Sequence, residues 1–145
     1  MHPASGEDAL QQYQQIGTRN TVGESSPHRL IQMMMEHALS KMNFARGFIE
    51  RGQVADKGKA IGDAISVING LQASLNHKAD ERMAANFDSL YAYMMRRLLE
   101  ANLRNDIAII DEVAVLMSEL KEAWDAIADE AEAGAGEQES GERRQ

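Results

Sequence analysis

The chain has 145 residues and a formal net charge of −8, the length of one domain with no basic surplus. Binding to nucleic acid needs cationic groups to displace phosphate counterions, so that function class is excluded. Cysteine is absent, which removes disulfide and thiol chemistry. No apolar run approaches the roughly 18 residues of a membrane span. Nor does the N-terminus carry the basic start and apolar run of a secretory leader. The expected compartment is the cytoplasm, without membrane insertion. Hydrophobic residues make up 43% of the chain but aromatic ones only 5%, so the core must be aliphatic and methionine-rich. Nine methionines fit such a core, and they also suit a surface that accepts a flexible peptide.

Residues 1–8 are small and polar and are expected to be disordered. In 9–16, Leu10, Tyr13 and Ile16 recur at threes, enough for a short amphipathic helix that must dock to persist. A linker with two glycines and no periodicity follows over 17–25. Ser26 and Pro27 then read as cap and first position of a long helix. Its apolar stripe is Ile31, Met35, Ala38, Met42, Ala45 and Ile49, flanked by Leu30 and Met34, and Gly52 is the expected stop. A second helix runs from about Val54 to Leu75 with Ile61, Ile65, Ile68, Leu71 or Gln72, and Leu75 on one face. Gly58, Gly62 and Gly70 each weaken it by about 1 kcal/mol relative to Ala, so tertiary packing must hold it.

After a polar connection, Asp80 is positioned to cap a third helix through Met83, Phe87 and Leu90. This helix carries two apolar sets. Leu90, Met94, Leu98 and Ala101 follow spacings of four, four and three. Tyr91, Met95, Leu99 and Leu103 are offset by one residue. Arg96, Glu100 and Arg104 lie four apart and suit a charge ladder. Asn105 or Asp106 breaks the helix. The fourth repeats Ile107, Ile110, Val113 or Ala114, Met117, Leu120, Trp124 and Ile127 at threes and fours. From Asp129 to the end nothing apolar exceeds Ala in size, and the acidic tail is expected to be disordered. The fold class is therefore all-α: an antiparallel up-down four-helix bundle over 26–128, preceded by a short N-terminal helix and linker over 9–25 and followed by the tail 129–145.

Chemistry is sparse. His28 and His37 lie nine positions apart, about 180° around a helix, while His2 and His77 fall outside the long helices, so no metal site forms. Asp111 and Glu112 are adjacent and diverge on a helix. The chain is read as a binding protein without catalytic residues, cofactor or metal. One enzymatic alternative uses His37: an acidic bundle with a histidine midway along a helix resembles histidine phosphotransfer domains. Those domains place Lys three residues after the histidine, where this chain has Ser40 and then Lys41.

Two segments carry a closer likeness. One is Ser-Ser-Pro-His-Arg-Leu-Ile-Gln-Met-Met-Met over 25–35. The other is Leu-Tyr-Ala-Tyr-Met-Met-Arg-Arg-Leu-Leu-Glu-Ala-Asn-Leu-Arg-Asn-Asp over 90–106, continuing through Asp111-Glu-Val and Glu122-Ala-Trp. Together they resemble the flagellar secretion chaperone family (FliS), over roughly residues 9–128. Met35 stands where that family commonly has Tyr, and the tail has no counterpart. The resemblance implies a bundle whose N-terminal segment lies over a hydrophobic groove. It also implies a partner, the disordered C-terminal segment of flagellin, with components of the flagellar type III export apparatus as further partners. Binding would prevent premature polymerisation and assist export. The expected contact residues are Tyr13 and Ile16 as a movable lid, with Ile31, Met34, Met35, Tyr91, Met95 and Leu99 lining the groove. Leu90, Met94, Leu98 and Ala101 are expected to hold the bundle, Tyr93 and Asn102 to support helix contacts through hydrogen bonds, and Trp124 to pack at a bundle end. A structural bundle that buries its second stripe in a homodimer is the alternative from another function class.

Overall fold

The structure, a computed structural model, describes residues 26–76 and 81–143, with side chains up to residue 127. The expected N-terminal helix, the linker and the Asp80 cap lie outside the described residues. Four helices follow in order: α1 (Pro27–Glu50), α2 (Val54–Ala73), α3 (Glu81–Arg104) and α4 (Ile107–Arg143). Each packs on its chain neighbours and α4 returns to α1, while the backbones of the diagonal pairs do not approach. The described residues thus form a four-membered bundle, as the helical periodicities predict.

Neighbours run antiparallel, and the side-chain bonds show it. At one end Trp124 Nε1 donates to the His28 carbonyl at 3.1 Å. At the other Arg46 Nε meets Asp111 at 3.0 Å. The start of α2 likewise meets the end of α3, where Lys57 Nζ donates to the Asn102 carbonyl at 2.9 Å.

The helix ends follow from local chemistry. Ser26 Oγ accepts from the Arg29 N–H at 3.0 Å, satisfying one of the free donors of the first turn. Gly52 takes a φ of 69°, and the Gln53 N–H returns to the Phe48 carbonyl, closing a Schellman turn. Asn105 does the same for α3 with a φ of 51°, the Asp106 N–H reaching the Ala101 carbonyl. Asp106 then accepts from the Ala108 N–H at 2.9 Å and starts α4. Two residues end one helix and begin the next.

The core is aliphatic and methionine-filled. Met34, Met35, Met42, Met94 and Met117 are buried with Ile61, Ile68, Leu71, Leu98, Ile110 and Val113 around Tyr91, whose phenol is pushed well up by burial. In α1 the buried stripe centres further toward Leu30 and Met34 than the sequence spacing placed it, and Ile31 and Ile49 are only half-buried. Methionine serves mainly as core filler here. Trp124 packs against the core at the bundle end, stacked on His28 at 4.5 Å.

The backbone of α4 stays helical to Arg143, into the segment read from composition as a tail. Ala and Glu favour a helix there, while Gly134, Gly136 and Gly141 each weaken it by about 1 kcal/mol, and the segment has no large apolar residue to bury.

Candidate functional site

Among the described residues, no group of three or more His, Asp or Glu could hold a metal. His37 is exposed on α1, and the Lys41 ammonium four residues on is paired with Asp63 of α2 at 3.2 Å. No helix of the described residues is long and apolar enough to cross a membrane. What the bundle does offer is two unlike surfaces, one on each side of α3.

The side toward α2 is apolar. Lys57 of α2 meets Asn102, and Gln72 Nε2 meets the Asp88 carbonyl at 3.4 Å, which fixes the seam. Seven residues from both Asp88 and Asn102 is Met95, which therefore faces α2. On α2 the same step back from Gln72 gives Ile65 and then Gly58. Outside this seam, Leu99 is 55% exposed, Leu103 85% and Val54 65%. Gly58 and Gly62 present no side chain, and a methyl built on either would meet nothing within 4 Å. The glycines of α2 thus face open space, and they lie toward the same end of the bundle as the exposed leucines of α3. A close approach of another helix, a common reason for a helical glycine, does not occur at these two positions.

Helical arithmetic explains the row on α3. Steps of four residues turn about 400°, so a strict four-spaced row drifts about 40° at each step. Tyr91 begins in the core at 1% exposure, Met95 is half-buried, and Leu99 and Leu103 emerge on the surface. Leu90, Met94, Leu98 and Ala101 start about 100° earlier around the helix, so the same drift carries Met94 and Leu98 into the core face, and the last step of three returns Ala101 to it, with Leu90 packed against them. Tyr91 accordingly belongs with the core and not with the surface row. Of the eight residues expected at a partner site, Met34, Met35 and Tyr91 are core side chains. Ile31 and Met95 are partly buried against the core, and Leu99 is exposed. Tyr13 and Ile16 lie outside the described residues.

The end of the seam is held by a residue the sequence reading passed over. Lys57 is only 5% exposed, and its ammonium donates to the Asn102 carbonyl and, at 2.6 Å, to Asn105 Oδ1. Both acceptors sit at the C-terminal end of α3, where free carbonyls and the helix dipole favour a cation. The signal was weak, because a lone lysine near a helix start reads as solvated surface.

The side toward α4 is polar. The Tyr93 hydroxyl donates to Glu112, and Arg97 Nη2 meets the same carboxylate at 3.1 Å. Arg97 also pairs with Glu100 at 2.7 Å, and Arg104 with Glu100 at 3.0 Å. The charge ladder therefore runs through Arg97, not Arg96, which lies over the Tyr93 ring instead. The hydroxyl of Tyr93 and the guanidinium of Arg97 together hold the Glu112 carboxyl below its ordinary range. Tyr93 supports a helix contact as expected, and Asn102 does so through its main-chain carbonyl. Beside this cluster an open cleft of about 500 Å³ is lined by Tyr93, Asp111, Glu112, Val115, Leu116 and Glu119.

Comparison with known proteins places this geometry. The family model described as flagellar protein FliS matches residues 9–131. A flagellar secretion chaperone of Pseudomonas aeruginosa is 44% identical over 119 residues, 82% of this chain and 94% of its own length. The flagellar secretion chaperone of Salmonella typhimurium is 44% identical over 132 residues, covering 90% and 96%. In three dimensions, a crystal structure of a bacterial flagellar chaperone superposes with a TM-score of 0.69 at 12% identity, over 83% of this chain and 98% of the other.

Proposed function

We propose, for a chain that belongs to the FliS family of flagellar secretion chaperones, that its client is the C-terminal segment of flagellin and that the furrow between α2 and α3 receives it. The family consists of chaperones, not enzymes. Within that class, the client, the site and the cytoplasmic setting are the reading offered here. The carrying observation is the row Met95, Leu99 and Leu103 emerging onto the surface toward the end of the bundle that also holds the side-chain-free Gly58 and Gly62. Exposed apolar surface arranged at helical spacing suits an amphipathic segment that lays its own apolar face in a groove.

Burying about 1,000 Å² of apolar surface would supply on the order of 25 kcal/mol gross, most of it offset by ordering the client and by lost translational freedom. Affinity of this kind comes from wrapped area, which explains how a binding site can be built without a single charged anchor. Masking the client's apolar face in this way would keep it from polymerising before export.

Calorimetry of the full chain with a peptide of the flagellin C-terminus tests the reading. Saturable heat that a Leu103→Glu variant loses supports it, and no complex at tens of micromolar would sink it. Sedimentation of the isolated chain addresses the alternative: a concentration-independent dimer that needs Leu99 and Leu103 would assign the row to self-association.

A further inference from the structure

We infer that the open cleft between α3 and α4 is a second docking surface, separate from the furrow, for a basic amphipathic helix of a protein partner. From Ile107 to Leu120, α4 contains no Lys or Arg, and its only charges there are Asp111, Glu112 and Glu119. All three line the cleft. Val115 stands among them 57% exposed, an apolar point inside an acidic rim. Asp111, Val115 and Glu119 are spaced at fours, so the row rises about 12 Å along α4, two turns of a helix. Lys121, the first cation after them, turns away to Asp125 at 2.8 Å and Glu36 at 3.8 Å on the α1 side.

The charge is not fully spent inside the molecule. Asp111 is bound by Arg46 and Glu112 by Arg97, but Glu119 makes no ion pair with another described residue. The cleft floor is also fixed, since Glu112 is held from two sides by Tyr93 and Arg97. A complementary occupant places an apolar side chain on Val115 and Leu116 and a Lys or Arg four residues away, over Glu119. Such a partner gains specificity and association rate from the charges, and area from the apolar contact. This surface lies on the opposite flank of α3 from Leu99 and Leu103, so its occupation does not depend on the furrow being the client site.

The test is fluorescence anisotropy of the full chain with a labelled helical peptide bearing a central Leu flanked by Lys at i−4 and i+4. A second peptide with Glu in place of both Lys serves as its counterpart. The lysine peptide is expected to bind saturably and more weakly as salt is raised, and the glutamate peptide not to bind. Glu119→Lys and Val115→Ser, both exposed positions whose folding circular dichroism can verify, should each weaken it about fivefold. Leu103→Glu should leave it unchanged. Absence of saturable binding, equal binding of the two peptides, indifference to both cleft substitutions, or loss with Leu103→Glu would each overturn the assignment.

Discussion

The two flanks of α3 are built from one helix and differ in almost every physical respect. Toward α2, a row of apolar side chains walks out of the core onto the surface, and α2 carries glycines that face open space toward the same end. Toward α4, the row Tyr93, Arg97 and Glu100 is tied to itself and to Glu112 by hydrogen bonds and ion pairs. One flank leaves apolar area unsatisfied, and the other satisfies its own polar groups.

The largest expected effect breaks that comparison on the apolar side. Placing two carboxylates in the furrow with Leu99→Glu and Leu103→Glu together should weaken binding of the flagellin C-terminal peptide about a hundredfold, measured by calorimetry. Thermal stability should barely change, because both positions are exposed. Glu112→Gln on the other flank should leave that affinity untouched. Equal losses from both changes would dissolve the distinction between the flanks.

Next in size is the clasp at the end of the α2–α3 seam. Lys57→Met keeps the buried stem but leaves the Asn102 carbonyl and the Asn105 side chain without their donor. Chemical denaturation should show a loss of about 1–3 kcal/mol. Asn105→Gly removes one acceptor while easing the left-handed backbone, so it should cost less than Asn105→Ala, which adds about 1–2 kcal/mol of conformational strain. Both variants lose the side-chain bond, so a reversed order would mean that left-handed strain is not what separates them.

Smaller still is the effect of filling the furrow. Gly62→Ala meets open space and should stabilise the chain by up to about 1 kcal/mol in the same denaturation assay, through helix propensity alone. Gly62→Leu should fold equally well yet weaken client binding, which separates the furrow from the fold.

The smallest expected effect concerns acid. Glu112 is held below its ordinary range in the folded chain, so its contribution to stability is complete above that range and is lost as pH falls through the depressed folded value. Melting curves taken from neutral to acid pH should fall less steeply for Glu112→Gln than for the parent on the acid limb. Identical limbs would place the interaction with Tyr93 and Arg97 outside the stability of the fold.

Much of this was open to reading before any coordinates. The caps at Ser26 and Pro27, the stop at Gly52 and the break at Asn105 and Asp106 are local chemistry, decided within a few residues of each site. The four apolar periodicities needed only the helical repeat to announce a bundle. The motif residues from Leu90 to Asp106 carried the family, because their order and types are specific.

Packing decided the rest. Tyr91 and Leu103 belong to the same four-spaced row, yet among the described residues one is the largest fully buried side chain and the other the most exposed of the large apolar ones. Drift around the helix relative to two neighbours separates them, and a one-dimensional pattern does not say where those neighbours stand. Lys57 was invisible for the same reason: its acceptors lie 45 and 48 residues away, and only the antiparallel docking of α2 on α3 brings them to its ammonium. Sequence determined which elements form and where they end, since those are short-range free energies. Tertiary structure determined which face of each element is core, clasp or exposed surface, since that depends on the third dimension in which the helices meet.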